Sequence, residues 1–249
     1  MQHTPFNHWF DTPYYHLLYA HRDEHEATAF IDRLINHLDP PVEATMIDIA
    51  CGKGRHALQL AQKGFQVTGI DLSASSIEAA KNLEQANLKF MVHDMRLPIQ
   101  LNPVDYAFNF FTSFGYFENE SEDQQAIKSM ARLLKPSGWL IMDYLNLPLA
   151  ENQLIPRSET ESNGIQFISE RRITDRFIEK NITIIDPSLS EPLHFNERVA
   201  RYRLPDFTRI FEAHGLSLET CFGNYALGPY NETNSPRLIL IARKTKTTE

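Results

Sequence analysis

The run Asp48-Ile49-Ala50-Cys51-Gly52-Lys53-Gly54 constrains this chain more than any other part of it. It follows the apolar residues Met46, Ile47 and Ile49, which read as a buried strand, and precedes residues 55–63, which read as a helix closed by Gly64. A strand that passes through a Gly-rich turn into a helix opens a parallel βαβ unit. Gly52 and Gly54 let the backbone approach a ligand closely and turn there. In an open parallel sheet, ligands bind beyond the carboxyl ends of the strands, where this turn sits.

The same rhythm continues downstream. Phe65–Asp71 reads as a second strand, and Ser75-x-x-Glu78 opens a second helix. Leu88–Asp94 and Val104–Phe111 are a third and a fourth strand. Ser121-x-x-Gln124 opens a helix with Ile127, Met130, Leu133 and Leu134 on one face. Lys135-Pro136-Ser137-Gly138 is a turn, and Trp139–Leu145 a fifth strand. Upstream, Asp23-x-x-Glu26 starts a helix with Ala27, Phe30, Ile31, Leu34, Ile35 and Leu38 at helical spacing, stopped by Pro40-Pro41. Ahead of it lies an irregular aromatic arm with Phe6, Trp9, Phe10, Tyr14, Tyr15 and Tyr19.

Past residue 150 the pattern changes. Residues 160–204 show no helical period; Ile178, Lys180, Ile182 and Ile184 share one strand parity, Asp186-Pro187-Ser188 is a turn, and Leu193–Tyr202 alternates again. Asp206 caps a short helix through Phe207, Ile210 and Phe211, and Leu216–Phe222 and Arg237–Arg243 supply two last strands. The expected architecture is α/β, a mostly parallel sheet with helices on both faces. Residues 1–43 form the arm and helix covering the site, 44–150 and 205–249 the core, and 151–204 an antiparallel β insert of about three strands acting as a substrate lid.

Composition bounds the partners. A formal net charge of −8 over 249 residues opposes a polyanionic partner, so nucleic acid is not expected. Cys51 and Cys221 form no disulfide framework, which suits a reducing cytoplasm. No apolar run approaches the roughly 20 residues of a membrane helix, and no secretory signal is read at the N-terminus. No Cys/His spacing suits zinc, so no metal is expected. Oligomeric state is not readable.

The chemistry lies at the strand ends. Asp71 closes the second strand, where a carboxylate can accept both hydroxyls of a ribose. Asp94 closes the third, where it can accept from an adenine amino group. Gly52-Lys53-Gly54-Arg55-His56-Ala57 also fits the dinucleotide pattern G-x-G-x-x-A, with Asp71 as its acidic partner. Asp48 opposes that reading, because a carboxylate aimed into the turn repels a pyrophosphate and holds an ammonium. His93-Asp94-Met95 has no role in the dinucleotide pattern.

Taken in order, Asp48-x-Ala50-Cys51-Gly52-x-Gly54, Val67-Thr68-Gly69-Ile70-Asp71-Leu72-Ser73, His93-Asp94-Met95 and Leu134-Lys135-Pro136-Ser137-Gly138 resemble the class I S-adenosylmethionine-dependent methyltransferases. Cys51–His56 and Phe111–Phe117 resemble a bacterial, small-molecule-type branch with an aromatic N-terminal arm and an antiparallel insert after the fifth strand. The resemblance implies a seven-stranded Rossmann-like sheet with an antiparallel last strand, S-adenosylmethionine as cofactor, and direct in-line methyl transfer to a small acceptor. It places Asp48 near the methionine ammonium and the loop of Ala50, Cys51, Gly52 and Gly54 beside the cofactor. Asp71 would hold the ribose; Asp94 and Met95 the adenine; Asn109 and Phe110 the methionine end; Leu72 is a further cofactor-binding candidate. Ala50 stands where the family usually has glycine, which narrows the backbone's approach. Tyr15 and Arg22 would reach over the cofactor, Arg22 to the methionine carboxylate.

The acceptor pocket is expected between the arm, the Thr112–Phe117 turn, Asn146 and the insert, with Tyr14, Ser113, Tyr116 and Asn146 contributing. No general base is obligatory for a neutral amine; for a hydroxyl acceptor, Tyr116, Tyr144 and His194 are candidates. Cys51 reads as a small loop residue and not a nucleophile, and His56 as packing on its helix. His93 is expected to face away from Asp94 across the strand. The insert arginines Arg171, Arg172, Arg176, Arg198, Arg201 and Arg203 read as a solvated strand face. Three alternatives stay open: a nucleic-acid methyltransferase, a cofactor-binding protein without turnover, and a nucleotide oxidoreductase. Against the first, Asn109-Phe110-Phe111-Thr112 lacks the prolines that base-methylating enzymes place after the fourth strand.

Overall fold

The apolar runs of the core pair as strands and the helix-period segments cross between them. The computed structural model describes residues 9–19 and 24–245, with residues 24–27 described by backbone alone. In chain order the elements are α1 (Pro13–Leu18), α2 (Glu24–Leu38), β1 (Thr45–Ile49), α3 (Arg55–Gln62), β2 (Gln66–Asp71), α4 (Ala74–Ala80), β3 (Leu88–Val92), β4 (Val104–Asn109), α5 (Glu120–Leu133) and β5 (Leu134–Leu145). Then come α6 (Leu147–Asn152), β6 (Arg157–Ser162), β7 (Ile165–Ile173), β8 (Phe177–Ile185), β9 (Leu193–Ala200), α7 (Leu204–Ala213), β10 (Leu216–Phe222) and β11 (Arg237–Lys244).

Seven strands form one sheet in the order β10-β11-β5-β4-β1-β2-β3. β1 to β5 are mutually parallel, and β11 runs antiparallel to both β5 and β10. The reversed strand therefore lies inside the sheet, and its first residue, Arg237, pairs with Leu145 at the end where the parallel strands finish. One face of the sheet packs under α2, α3 and α4 through Phe30, Ile31, Leu34, Leu60 and Ile77. The other packs under α5 and α7 through Ile127, Met130, Phe207, Ile210 and Phe211. Both faces are covered, as a parallel sheet requires.

Several boundaries differ from the sequence expectation for identifiable reasons. α4 is capped by Ser73, whose hydroxyl accepts the Ser76 N–H at 3.0 Å, two residues before the expected Ser75. α5 is capped by Asn119 through Glu122 N at 3.1 Å, not by Ser121. At α7, Asp206 lies inside the first turn and accepts the backbone N–H of Arg203, the true cap. The expected turn at Lys135–Gly138 is absorbed into β5, with Ser137 left-handed at φ 64° where the ladder with β4 is irregular. Asp23 and Phe6 lie outside the described residues, as do the side chains of Glu26 and Ala27.

The insert is a second sheet of four antiparallel strands, β6-β7-β8-β9. The additional strand is β6, Arg-Ser-Glu-Thr-Glu-Ser, a polar edge with no apolar alternation to reveal it. The insert arginines do form charged pairs: Arg172 with Glu179 at 2.5 Å, and Arg201 and Arg203 both with Glu151 at 2.7 Å. Trp9 is fully buried against Phe167, Ile182 and Ile184 of this sheet and lies 4.9 Å from the Phe195 ring. Tyr14 donates to Asp186 at 2.8 Å and Tyr19 to Glu197 at 2.7 Å. The insert thus seats the N-terminal arm.

Candidate active site

Three strand ends and two loops build one cleft, open to solvent at its mouth. Its floor is the β1–α3 turn, where Ala50, Gly52 and Gly54 all take left-handed backbone at φ 61°, 55° and 84°. A Cβ on Gly52 would meet only open space, so this backbone is bare toward the cleft. A Cβ on Gly54 would lie 2.5 Å from the Phe90 ring, so that glycine is required by packing. Cys51 lies with its sulfur in the core near Gly69, and burial drives its thiol pKa far up, so no thiolate is available there.

Asp48 is buried beneath this turn and does not line the cleft. It accepts the Ala57 backbone N–H, and its Oδ2 has no hydrogen-bond partner among the described residues. Desolvation first, and the nearby Asp71 second, push its pKa up to about 8. Asp71 does line the cleft. Its Oδ2 accepts Gly52 N at 2.7 Å and its Oδ1 accepts Ser73 N at 2.8 Å. Each oxygen keeps a further lone pair for a ligand donor. Burial raises its pKa against those two backbone bonds.

Leu72, Asp94 and Met95 also line the cleft. Asp94 is gripped by Arg96, which the sequence reading missed: the guanidinium makes contacts of 2.6 and 3.1 Å and also reaches Glu122 of α5 at 2.6 Å. Burial acts to raise the Asp94 pKa, but the Arg96 hydrogen bonds and charge outweigh it and hold the pKa low. His93 corrects an expectation. β3 ends at Val92, so strand alternation no longer applies, and His93 lines the cleft beside Asp94. Its Nε2 is buried without a partner among the described residues.

The wall after β4 also differs from expectation. Asn109 and Phe110 do not line the cleft. Asn109 is buried and donates to Ile49 O at 2.9 Å, tying β4 to β1. Phe110 packs into the helix-covered core against Phe30 and His56. The chain then kinks through two left-handed residues, Phe111 at φ 57° and Thr112 at φ 56°, and these line the cleft with Ser113, Tyr116 and Phe117. His56 stacks on the Phe111 ring at 5.1 Å, and burial lowers its pKa to about 3, leaving a neutral packing group.

The arm roofs the cleft with Phe10, Tyr15 and His16. Asp11 latches it to the first turn of α4 by accepting from the hydroxyls of Ser73 and Ser75. Tyr14 points to Asp186 of the insert and does not reach the cleft. Asn146 is likewise elsewhere: its amide donates to Glu232 O at 3.0 Å and Ser235 O at 2.7 Å, and its oxygen accepts from Tyr230. Arg22 lies outside the described residues. No described insert residue lines the cleft. Among the described residues no cluster of three or more His, Cys, Asp or Glu suits a metal, and no helix is long and apolar enough to cross a membrane.

Residues 46–138 match the profile of a family described as the methyltransferase domain. The chain is 33% identical over 104 residues to a ubiquinone biosynthesis O-methyltransferase of Coxiella burnetii, covering 41% of this chain and 43% of that one. It spans less than half the length of the curated relatives it matches. Among solved structures, it superposes on an S-adenosylmethionine-dependent methyltransferase from Clostridium acetobutylicum with a TM-score of 0.78 at 16% identity, over 93% of this chain and 96% of that one. It also superposes on CalS10, an amino pentose methyltransferase from Micromonospora echinaspora solved with S-adenosylmethionine, with a TM-score of 0.70 at 19% identity, over 94% and 98% of the two chains. Residues 46–138 thus carry a methyltransferase domain, and the chain shares the fold of S-adenosylmethionine-dependent methyltransferases.

Proposed function

We propose that this protein transfers the methyl group of S-adenosylmethionine to a small-molecule acceptor. The observation that carries the reading is the single continuous cleft. Carboxylates at the ends of β2 and β3 line it together with Phe10 and Tyr15 of the arm, and the Phe10 ring meets Tyr116 edge-on. The residues present fit the cofactor. The Asp48 carboxyl lies buried under the loop with an oxygen that has no partner among the described residues, and a cation bound nearby would favour its ionised form. Gly52 leaves the loop backbone bare, and Asp71 keeps lone pairs toward the cleft.

On this reading Asp71 accepts the ribose hydroxyls. Leu72 and Met95 flank the base, and Asp94, held by Arg96, accepts from its amino group. The bound cofactor supplies an electrophilic methyl on sulfur, so the difficult chemistry is its own. The chain's task is to align an acceptor and exclude water. Orientation alone is worth roughly 7–11 kcal/mol of barrier. Of the three candidate bases, only Tyr116 lines the cleft. The Tyr144 hydroxyl is committed to Ala200 O at 2.6 Å, and burial holds its pKa well above the usual range. His194 contacts Thr183 on the exposed side of the insert. The aromatic, roofed end suits a small, partly apolar acceptor. The proteins it resembles include a ubiquinone biosynthesis O-methyltransferase and an amino pentose methyltransferase.

Calorimetry with S-adenosylhomocysteine tests the cofactor side. The wild type should bind, and Asp71→Ala should weaken binding about 100-fold, the worth of two hydrogen bonds to a charged group. Affinity untouched by Asp71→Ala would sink the assignment. Turnover with a panel of amines, alcohols and thiols then tests the acceptor side.

A further inference from the structure

The kink at Phe111 and Thr112 puts two consecutive non-glycine residues in left-handed backbone. Each such residue costs about 1–3 kcal/mol and persists only where its surroundings over-determine it. The surroundings here are a buried ion pair. Asp143, fully buried near the end of β5, accepts Phe111 N at 2.9 Å through Oδ2, and its backbone carbonyl accepts Thr112 N at 2.9 Å. Arg237 donates to Asp143 Oδ1 at 2.7 Å and, from its other arm, to Thr112 Oγ1 at 2.9 Å. The Tyr225 hydroxyl donates to Asp143 at 2.9 Å, and its ring lies 5.6 Å from Phe111. These hydrogen bonds are thus directed at the two kinked residues or at the carboxylate that holds them.

The strand order says what the kink serves. β3 and β2 carry Asp94 and Asp71 on one side of the Gly52 turn, and β4 carries the kink on the other. The kink therefore walls the half of the cleft remote from the two carboxylates. We propose that Asp143 and Arg237 are positioning residues that hold Phe111 and Thr112 in place as the wall of the cleft where the cofactor's amino-acid end and the reacting methyl lie. The inference rests on the cofactor reading above. Neither residue lines the cleft, so both act through the backbone and hydroxyl they hold.

The test compares two ligands that share a nucleoside and differ in the amino-acid arm, S-adenosylhomocysteine and methylthioadenosine. Arg237→Lys keeps a cation but cannot bridge Asp143 and Thr112 in one fork. Thr112→Val removes the gripped hydroxyl and leaves the buried pair intact. Both variants should bind S-adenosylhomocysteine about tenfold more weakly, the cost of re-forming one strained residue on binding. Both should bind methylthioadenosine as the wild type does. Equal weakening of the two ligands would show a general folding defect and overturn the proposal, as would unchanged affinity for both. A wild-type protein that binds neither ligand would overturn the cofactor reading itself, and this inference with it.

Discussion

At the scale of single residues, Asp48 is the most exposed to test. Its carboxyl is buried in the folded chain with a pKa of about 8, against an ordinary 3.8. Between those values the folded state holds a proton that the unfolded state has lost, so stability falls as pH rises. This group's contribution is complete below about pH 4 and is lost as pH rises through 8, at no more than ~1.4 kcal/mol per unit. Thermal unfolding of the ligand-free wild type should therefore shift down between pH 6 and pH 8, by about 2–4 °C per kcal/mol lost. Asp48→Asn keeps the acceptor for Ala57 N and removes the titration, so its midpoint should move less over the same interval. Equal shifts in both proteins would mean that Asp48 is already ionised in the fold.

At the scale of elements, the arm, the insert and the core form a chain of supports. Trp9 fills the face of the insert sheet while its neighbours Phe10, Tyr15 and His16 roof the cleft. Truncating a buried Trp to Ala costs about 3–5 kcal/mol, here spent on the docking of one short segment. Hydrogen exchange of Trp9→Ala should show amides 12–19 losing protection while β1 to β5 keep theirs. S-adenosylhomocysteine affinity should fall about tenfold as the roof comes loose. Arm amides as protected as in the wild type would refute this coupling.

The alternation of β1 to β5 with helices was legible because apolar runs and their Gly-rich or capping boundaries are local signals. Asp71 and Asp94 at the strand ends followed from that periodicity, whereas Leu72 and Met95 came from the family resemblance of the motifs around them; all four line the cleft. What escaped was decided by pairing between distant segments. Arg96 and Arg237 are ordinary arginines in sequence, and only the fold brings Arg237 within reach of Thr112. Tyr14 and Tyr15 are neighbours, and a helical turn sends one to Asp186 and the other to the cleft. His93 was misplaced because alternation was carried one residue past the end of β3, and Asn109 and Phe110 because the strand stops before the kink.

At the scale of the whole molecule, the charge balance bears on the proposed small-molecule acceptor. The chain carries a net −8, and the insert arginines are tied to carboxylates such as Glu151 and Glu179. A polyanion would therefore find little counter-charge on that face. Filter binding with bulk RNA should give weak retention that hardly changes between 50 and 200 mM salt, a range over which phosphate contacts lose about 10³-fold or more. Strong, salt-sensitive retention would instead favour a nucleic-acid acceptor.

The reversal of β11 has a consequence for timing. A ribosome delivers the Gly52 turn, Asp71 and Asp94 well before Arg237, and the parallel strands that carry them can begin to assemble as they emerge. Arg237 opens β11 at the end where the parallel strands finish, and the strand then runs back between β5 and β10. On the proposed reading, a nascent chain acquires the nucleoside half of the cleft before the strand that braces the kink. Until β11 is in place, that half can form while the wall for methyl transfer cannot.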